Sequence, residues 1–123
     1  MNSEMYKEKT MAFFEAMNAK NFDTVKDDMH EDISFDFPGT KLLEGQRRVL
    51  LFLTALTRKY NDLTFTVSEI IVENNVVFAV WTNKGTAADG SEYKNSGVTL
   101  IRFRGDKIEF LSDYFKDTSF TQN

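Results

Sequence analysis

A chain of 123 residues with 41% hydrophobic, 14% aromatic and 28% charged residues is globular in composition, long enough for one core and too short for two domains. Nineteen acidic against fifteen basic residues give a net charge of −4, which repels phosphate backbones and argues against nucleic acid as a partner. Without cysteine there is no disulfide, thiolate metal site or thiol nucleophile, and a single His leaves little scope for a metal cluster, so neither metal nor cofactor is expected.

The polar, mixed-charge start from Met1 to Lys9 has no signal-peptide core, and no stretch nears the roughly 20 apolar residues of a membrane span. The expectation is a soluble cytoplasmic protein with no membrane partner. Ser3 is placed to cap a first helix whose apolar stripe is Tyr6, Thr10, Phe13, Phe14 and Met17, ending near Lys20-Asn21. Phe22, Val25 and Met29, three and four apart, predict a second, shorter helix with Asp23 in its first turn. His30, in the acidic run His30-Glu31-Asp32, then reads as a cation at that helix's C-terminus. From Ile33 the period changes to two: Ile33, Phe35 and Phe37 alternate with Ser34 and Asp36 until Pro38-Gly39 stops the strand.

Between Gly45 and Tyr60 the set Val49, Leu50, Phe52, Leu53, Leu56 and Tyr60 gives a third, strongly amphipathic helix. Strands follow. Leu63, Phe65 and Val67 alternate, then the parity slips to Ile70 and Val72, which predicts a bulge near Ser68-Glu69. Asn74-Asn75, Asp89-Gly90 and Gly105-Asp106 supply residues that tolerate positive φ, so they turn the chain into a meander of four long strands. The fold class is α+β: a cone-shaped, curved antiparallel sheet wrapped around three N-terminal helices, one domain over 1–123 with a polar tail at 118–123. The mouth of such a cone is where small-molecule sites usually form.

Several segments in this order carry a family resemblance: Phe13-Phe14-Glu15-Ala16-Met17 with Lys20-Asn21-Phe22, His30-Glu31-Asp32-Ile33-Ser34-Phe35, and Gly45-Gln46 at the long helix. With them go Val80-Trp81-Thr82, Gly85-Thr86, Gly97-Val98, Gly105-Asp106-Lys107-Ile108 and Asp113-Tyr114-Phe115. The chain resembles the superfamily of SnoaL-like polyketide cyclases, ketosteroid isomerases and limonene epoxide hydrolases, which share the nuclear transport factor 2-like cone. The resemblance implies a homodimer through the sheet and a cavity for a small apolar or aromatic ligand. It places the isomerase's general-base aspartate on Phe37, its oxyanion tyrosine on Phe13 and its second oxyanion acid near Thr99. A Phe can neither take a proton nor donate to an enolate, so the isomerase mechanism is rejected. The epoxide hydrolase's water-holding pairs fall on Phe35 and Phe37, and on Val80 and Thr82 or, with one gap, on Trp81 and Asn83, so that apparatus is incomplete as well.

Asp113 matches the position where cyclases and epoxide hydrolases of this superfamily carry a catalytic acid. Alternation puts it with Leu111 and Phe115 on the inner face, where burial favours the neutral acid. It is the one catalytic candidate, a general acid or base on a small carbonyl or epoxide compound, and the alternative is a binding or protein-interaction domain in which it only orients a ligand. Asp36 is turned outward by the same alternation and is expected to be silent. The expected lining of the cavity is Phe13, Met17, Phe35, Phe37 and Leu53 from the first half of the chain. Trp81, Thr99, Leu111 and Phe115 complete it from the meander, with Tyr93 and Tyr114 as candidate hydroxyls at the rim.

Overall fold

In the computed structural model, which describes residues 2–119, the first apolar stripe forms α1, Ser3–Ala19, with Tyr6, Thr10, Phe13, Phe14 and Met17 buried on one side. Ser3 is not the cap: Asn2 precedes the helix, and no side chain bonds its first amides. The helix ends where the sequence indicates, in a Schellman turn. Lys20 is left-handed at φ 57°, its N–H reaches Met17 O at 3.2 Å, and the Asn21 N–H reaches Ala16 O at 3.1 Å. The polar tail expected over 118–123 lies outside the described residues except for Thr118 and Ser119.

The second predicted helix is absent. Only a single 3-10 turn, Lys26–Asp28, forms, because Met29 already belongs to strand β1, Met29–Asp36, where it pairs with Ile108. Met29, Ile33 and Phe35 lie on the buried side of this strand and Phe37 just beyond it, while Asp36 is exposed. His30 therefore caps no helix; it sits in β1 with Nε2 3.1 Å from the Arg104 guanidinium. A two-residue strand, β2, Leu43–Glu44, pairs antiparallel with β1 and leads to Gly45, whose φ of 96° favours glycine. Helix α2, Gln46–Arg58, follows and buries Val49, Leu53 and Thr57. Its first side chain ties it down, Gln46 Nε2 donating to Lys26 O at 3.1 Å and Met29 O at 3.0 Å.

The meander comprises β3 Asn61–Glu73, β4 Val76–Thr86, β5 Glu92–Arg104 and β6 Lys107–Phe115. Its turns lie at the expected places, with positive φ at Asn74, Gly90 and Gly105. The β3 register shifts between Val67 and Glu69, so Leu63, Phe65, Val67, Ile70 and Val72 all face inward despite the slip in parity. The order across the sheet is β2-β1-β6-β5-β4-β3, and the sheet is mixed, since β1 runs parallel to β6. It curves without closing. At the open β3 edge the Asn18 side chain imitates a strand: its Oδ1 accepts from Phe65 N at 2.7 Å and its Nδ2 donates to Phe65 O at 3.0 Å.

Both helices pack on the concave face, and their stripes join the inward residues of the sheet in one apolar cluster. Each fully buried Phe or Leu there stabilises the fold by about 1.5 to 3 kcal/mol over leaving it in water. The chief consequence for function is the placing of three inward rows. Ala79, Thr99 and Asp113 lie side by side across β4, β5 and β6, next come Trp81, Gly97 and Phe115, and then Asn83 with Asn95. None of the described helices is long and apolar enough to cross a membrane.

Candidate functional site

Asp113 ends a short chain of hydrogen bonds that crosses three strands. Trp81 Nε1 lies 2.9 Å from Thr99 Oγ1, which lies 2.7 Å from Asp113 Oδ1. An indole N–H can only donate, so the Thr99 oxygen must accept from it, and its single proton then goes to Asp113. Oδ1 is thereby fixed as an acceptor. Thr99 is the only hydrogen-bond partner of Asp113 among the described residues, which leaves Oδ2 to carry the proton whenever the carboxyl is neutral. Burial among apolar groups pushes the carboxyl up to about 7, against a smaller downward pull from the Thr99 hydroxyl. Both protonation states are therefore populated near neutral pH.

The surroundings are aromatic. Phe37 packs against Phe35, Phe52 and Phe115 with ring centroids 5.7, 5.0 and 5.4 Å apart, and Phe65 meets Trp81 edge-on at 5.0 Å. Farther out, Tyr60 and Tyr93 stack at 4.0 Å and 8°. Burial is the main reason both hydroxyls titrate above the usual tyrosine range, so both remain protonated at neutral pH.

These side chains bring the expected lining residues to two spaces that meet at Asp113. Phe13, Met17, Phe35, Leu53, Thr99 and Leu111 surround the inner one, and Phe37, Trp81 and Phe115 stand around the outer one with Tyr60, Asn83 and Tyr93. Neither space is ligand-sized. The outer space is about 20 Å³ and the inner about 10 Å³, enough for roughly one water each rather than a ligand. The cone is filled because the Phe cluster closes over its mouth. Beyond that cluster a groove of about 250 Å³, bounded by the Phe37–Thr40 turn and α2, shares Phe37 and Leu56 with the outer space.

Of the remaining candidates, Tyr93 stands at the outer space, whereas Tyr114 projects from the convex face, 59% exposed. Asp36 is also outside. The sequence reading left out Phe65, Leu56, Leu63 and Tyr60 as walls, and it named Asn83 only in the gapped match to an epoxide-hydrolase pair, not as a wall. The signal for Asn83 was available in the alternation Ala79, Trp81, Asn83. Among the described residues no group of three or more acidic or His side chains is placed to share a metal ion.

The model of the SnoaL-like domain matches residues 11–110. No curated protein matches the sequence. Similar solved structures include a nuclear transport factor 2-like protein from Anabaena variabilis, 21% identical, with a TM-score of 0.83 over 93% of this chain and 88% of that one. TerC, co-crystallised with polyporic acid, is 17% identical, with a TM-score of 0.83 over 94% of this chain and 95% of its own. A protein of ketosteroid isomerase-like fold from Catenulispora acidiphila, in complex with trimethylamine, is 16% identical, with a TM-score of 0.81 over 91% of this chain and 88% of that one. At these identities the likeness is one of fold. The chain belongs to the SnoaL-like domain family.

Proposed function

We propose, with that membership as the premise, that the protein binds a small flat apolar molecule at the mouth of its cone. Asp113 then exchanges a proton with a carbonyl or epoxide oxygen of that molecule, acid/base chemistry of the cyclase, isomerase or hydrolase type. The observation that carries this reading is the Trp81–Thr99–Asp113 chain, which leaves one carboxyl oxygen to bear a proton beside an aromatic wall. A carboxyl held up to about 7 gives and takes protons at neutral pH with little bias either way. The ligands in the TerC and Catenulispora structures support a small-molecule role for this fold. Phe37 and Leu56 line both the outer groove and the space beside Asp113, so a ligand that displaced them would join the two.

Trp81 is the only tryptophan, so its fluorescence reports on the site. Titration with 1-tetralone, a two-ring ketone, is expected to quench it. Proton transfer is read separately, as exchange of the ketone's α-protons in D2O. The Oδ2 proton moves to the carbonyl oxygen, water removes an α-proton to give the enol, and reversal leaves a deuteron on carbon and restores the acid. Asp113→Asn is expected to retain quenching and lose exchange by about 100-fold or more, since the amide keeps the shape but cannot deliver the proton. Equal exchange by variant and wild type would remove the catalytic role, and quenching without exchange in either would leave a binding protein.

Assembly is the second part of the reading. The convex face carries Ile71, Phe78 and Leu100 in one register row and Val80, Val98 and Tyr114 in the next. Ile71 is 52% and Tyr114 59% exposed, more apolar surface than a solvated sheet face normally shows. A homodimer through this face is expected in sedimentation velocity at tens of micromolar, and a single species of 14.2 kDa would overturn it.

A further inference from the structure

Asn83 has a buried amide oxygen that no described residue answers. The side chain is 9% exposed and faces the outer space with Trp81 and Asp113, yet among the described residues its Oδ1 has no hydrogen-bond partner. The remainder of the amide is not loose. It interacts with the Tyr93 hydroxyl, which in turn accepts from Asn95 Nδ2 at 3.0 Å. An unanswered buried acceptor is a cost to folding that a structural residue has no reason to carry, whereas a bound donor removes it.

The placing of this atom relative to Asp113 defines a shape. Ala79 lies in the row of Thr99 and Asp113, and Asn83 follows four residues later on the same face, about 13 Å along the strand. Trp81 and Phe115 fill the row between. The wall thus presents a proton-exchanging carboxyl at one end, an aromatic band, and an amide acceptor at the other end.

We propose that Asn83 determines ligand specificity: Oδ1 accepts a hydrogen bond from a hydroxyl or N–H at the end of a flat aromatic molecule opposite the oxygen that meets Asp113. The substrate class is then a fused or linked aromatic compound, polar at both ends, rather than an unadorned hydrocarbon ketone. This rests on the reading of the site given above, and Asn83 acts by positioning, with no part in the proton transfer.

Calorimetric titration with 1-tetralone and with 6-hydroxy-1-tetralone separates the two claims, because the ligands differ only in the distal hydroxyl. Wild type is expected to bind the hydroxylated ketone about tenfold more tightly, the worth of one buried hydrogen bond. Asn83→Leu and Asn83→Ala should each erase that preference, bringing the ratio of the two affinities to about one whatever either change does to the affinity for 1-tetralone itself. Binding of both ketones without preference in the wild type, or a preference that survives in both variants, overturns the role of Asn83 alone. Failure of the wild type to bind either ketone overturns the underlying reading of the site, and this inference with it.

Discussion

At pH 8 Asp113→Asn is expected to be more stable than the wild type by about 2 to 4 kcal/mol, whereas at pH 4.5 the difference should shrink to about 1 kcal/mol. In the unfolded chain Asp113 titrates as an ordinary aspartate near 3.9, and in the folded protein at about 7. Between those values the folded state holds a proton that the unfolded state has released. The wild type is therefore most favoured below about pH 4, loses stability as pH rises through the window, and has lost the whole contribution above about 7, at most about 4 kcal/mol for a gap of some three pKa units. The amide retains an oxygen to accept from Thr99 and never acquires the charge that burial penalises. In a domain of this size the difference at pH 8 is roughly 10 °C in melting temperature. Parallel stability curves for the two proteins from pH 4 to 8 would show that the carboxyl is not held up. A variant less stable at every pH would make Asp113 a structural carboxylate and remove the basis for its proposed chemistry.

The same carboxyl illustrates what a sequence can and cannot disclose. Its inward position was legible, because Leu111, Asp113 and Phe115 alternate and the period of a strand is two. The bulge at Val67–Glu69 was legible for a similar reason, as a slip in parity between two apolar series. The Trp81–Thr99–Asp113 chain was not, since it depends on which residues of β4, β5 and β6 stand opposite one another, and that register is set by turns and packing together. The missing second helix has the same cause. Phe22, Val25 and Met29 fit a helical stripe, but Met29 also opens the buried series Met29, Ile33, Phe35 and Phe37, and pairing with Ile108, far along the chain, decides in favour of the strand. Parallel pairing of β1 with β6 leaves no local mark either, so the mixed sheet was read as antiparallel. Cavity size escaped for a different reason: alternation tells which way Phe37 and Phe115 point, but not that the Phe37 ring meets both Phe52 and Phe115 and closes the mouth.

Gly97→Ala should be among the most damaging single-methyl changes in this chain, costing about 3 kcal/mol or more, although the backbone at Gly97 is ordinary and asks for no glycine on conformational grounds. The reason is proximity. A Cβ at this position would overlap the carbonyl oxygen of Tyr114 and lie 2.7 Å from Phe115 Cβ and 2.8 Å from Phe115 Cα. Those atoms belong to the neighbouring strand at its root, so no rotation of a flexible side chain relieves the clash, and β6 must move away from β5. Gly97 pairs with Trp81 on one side and Phe115 on the other, so the aromatic row of the site depends on this close approach. Two residues on, the Thr99–Asp113 bond spans the same pair of strands and would lengthen with them. Melting at least about 10 °C below wild type is therefore expected, a large share of the 5 to 15 kcal/mol that stabilises a typical domain. Gly85→Ala, whose Cβ would stand 3.1 Å from Asn61 O and Tyr60 Cβ, should cost less, because there the overlap is a few tenths of an ångström. If Gly97→Ala instead melts within about 2 °C of wild type, β5 and β6 have slack at this row, and the tight seat assigned to the Asp113 carboxyl would have to be abandoned as well.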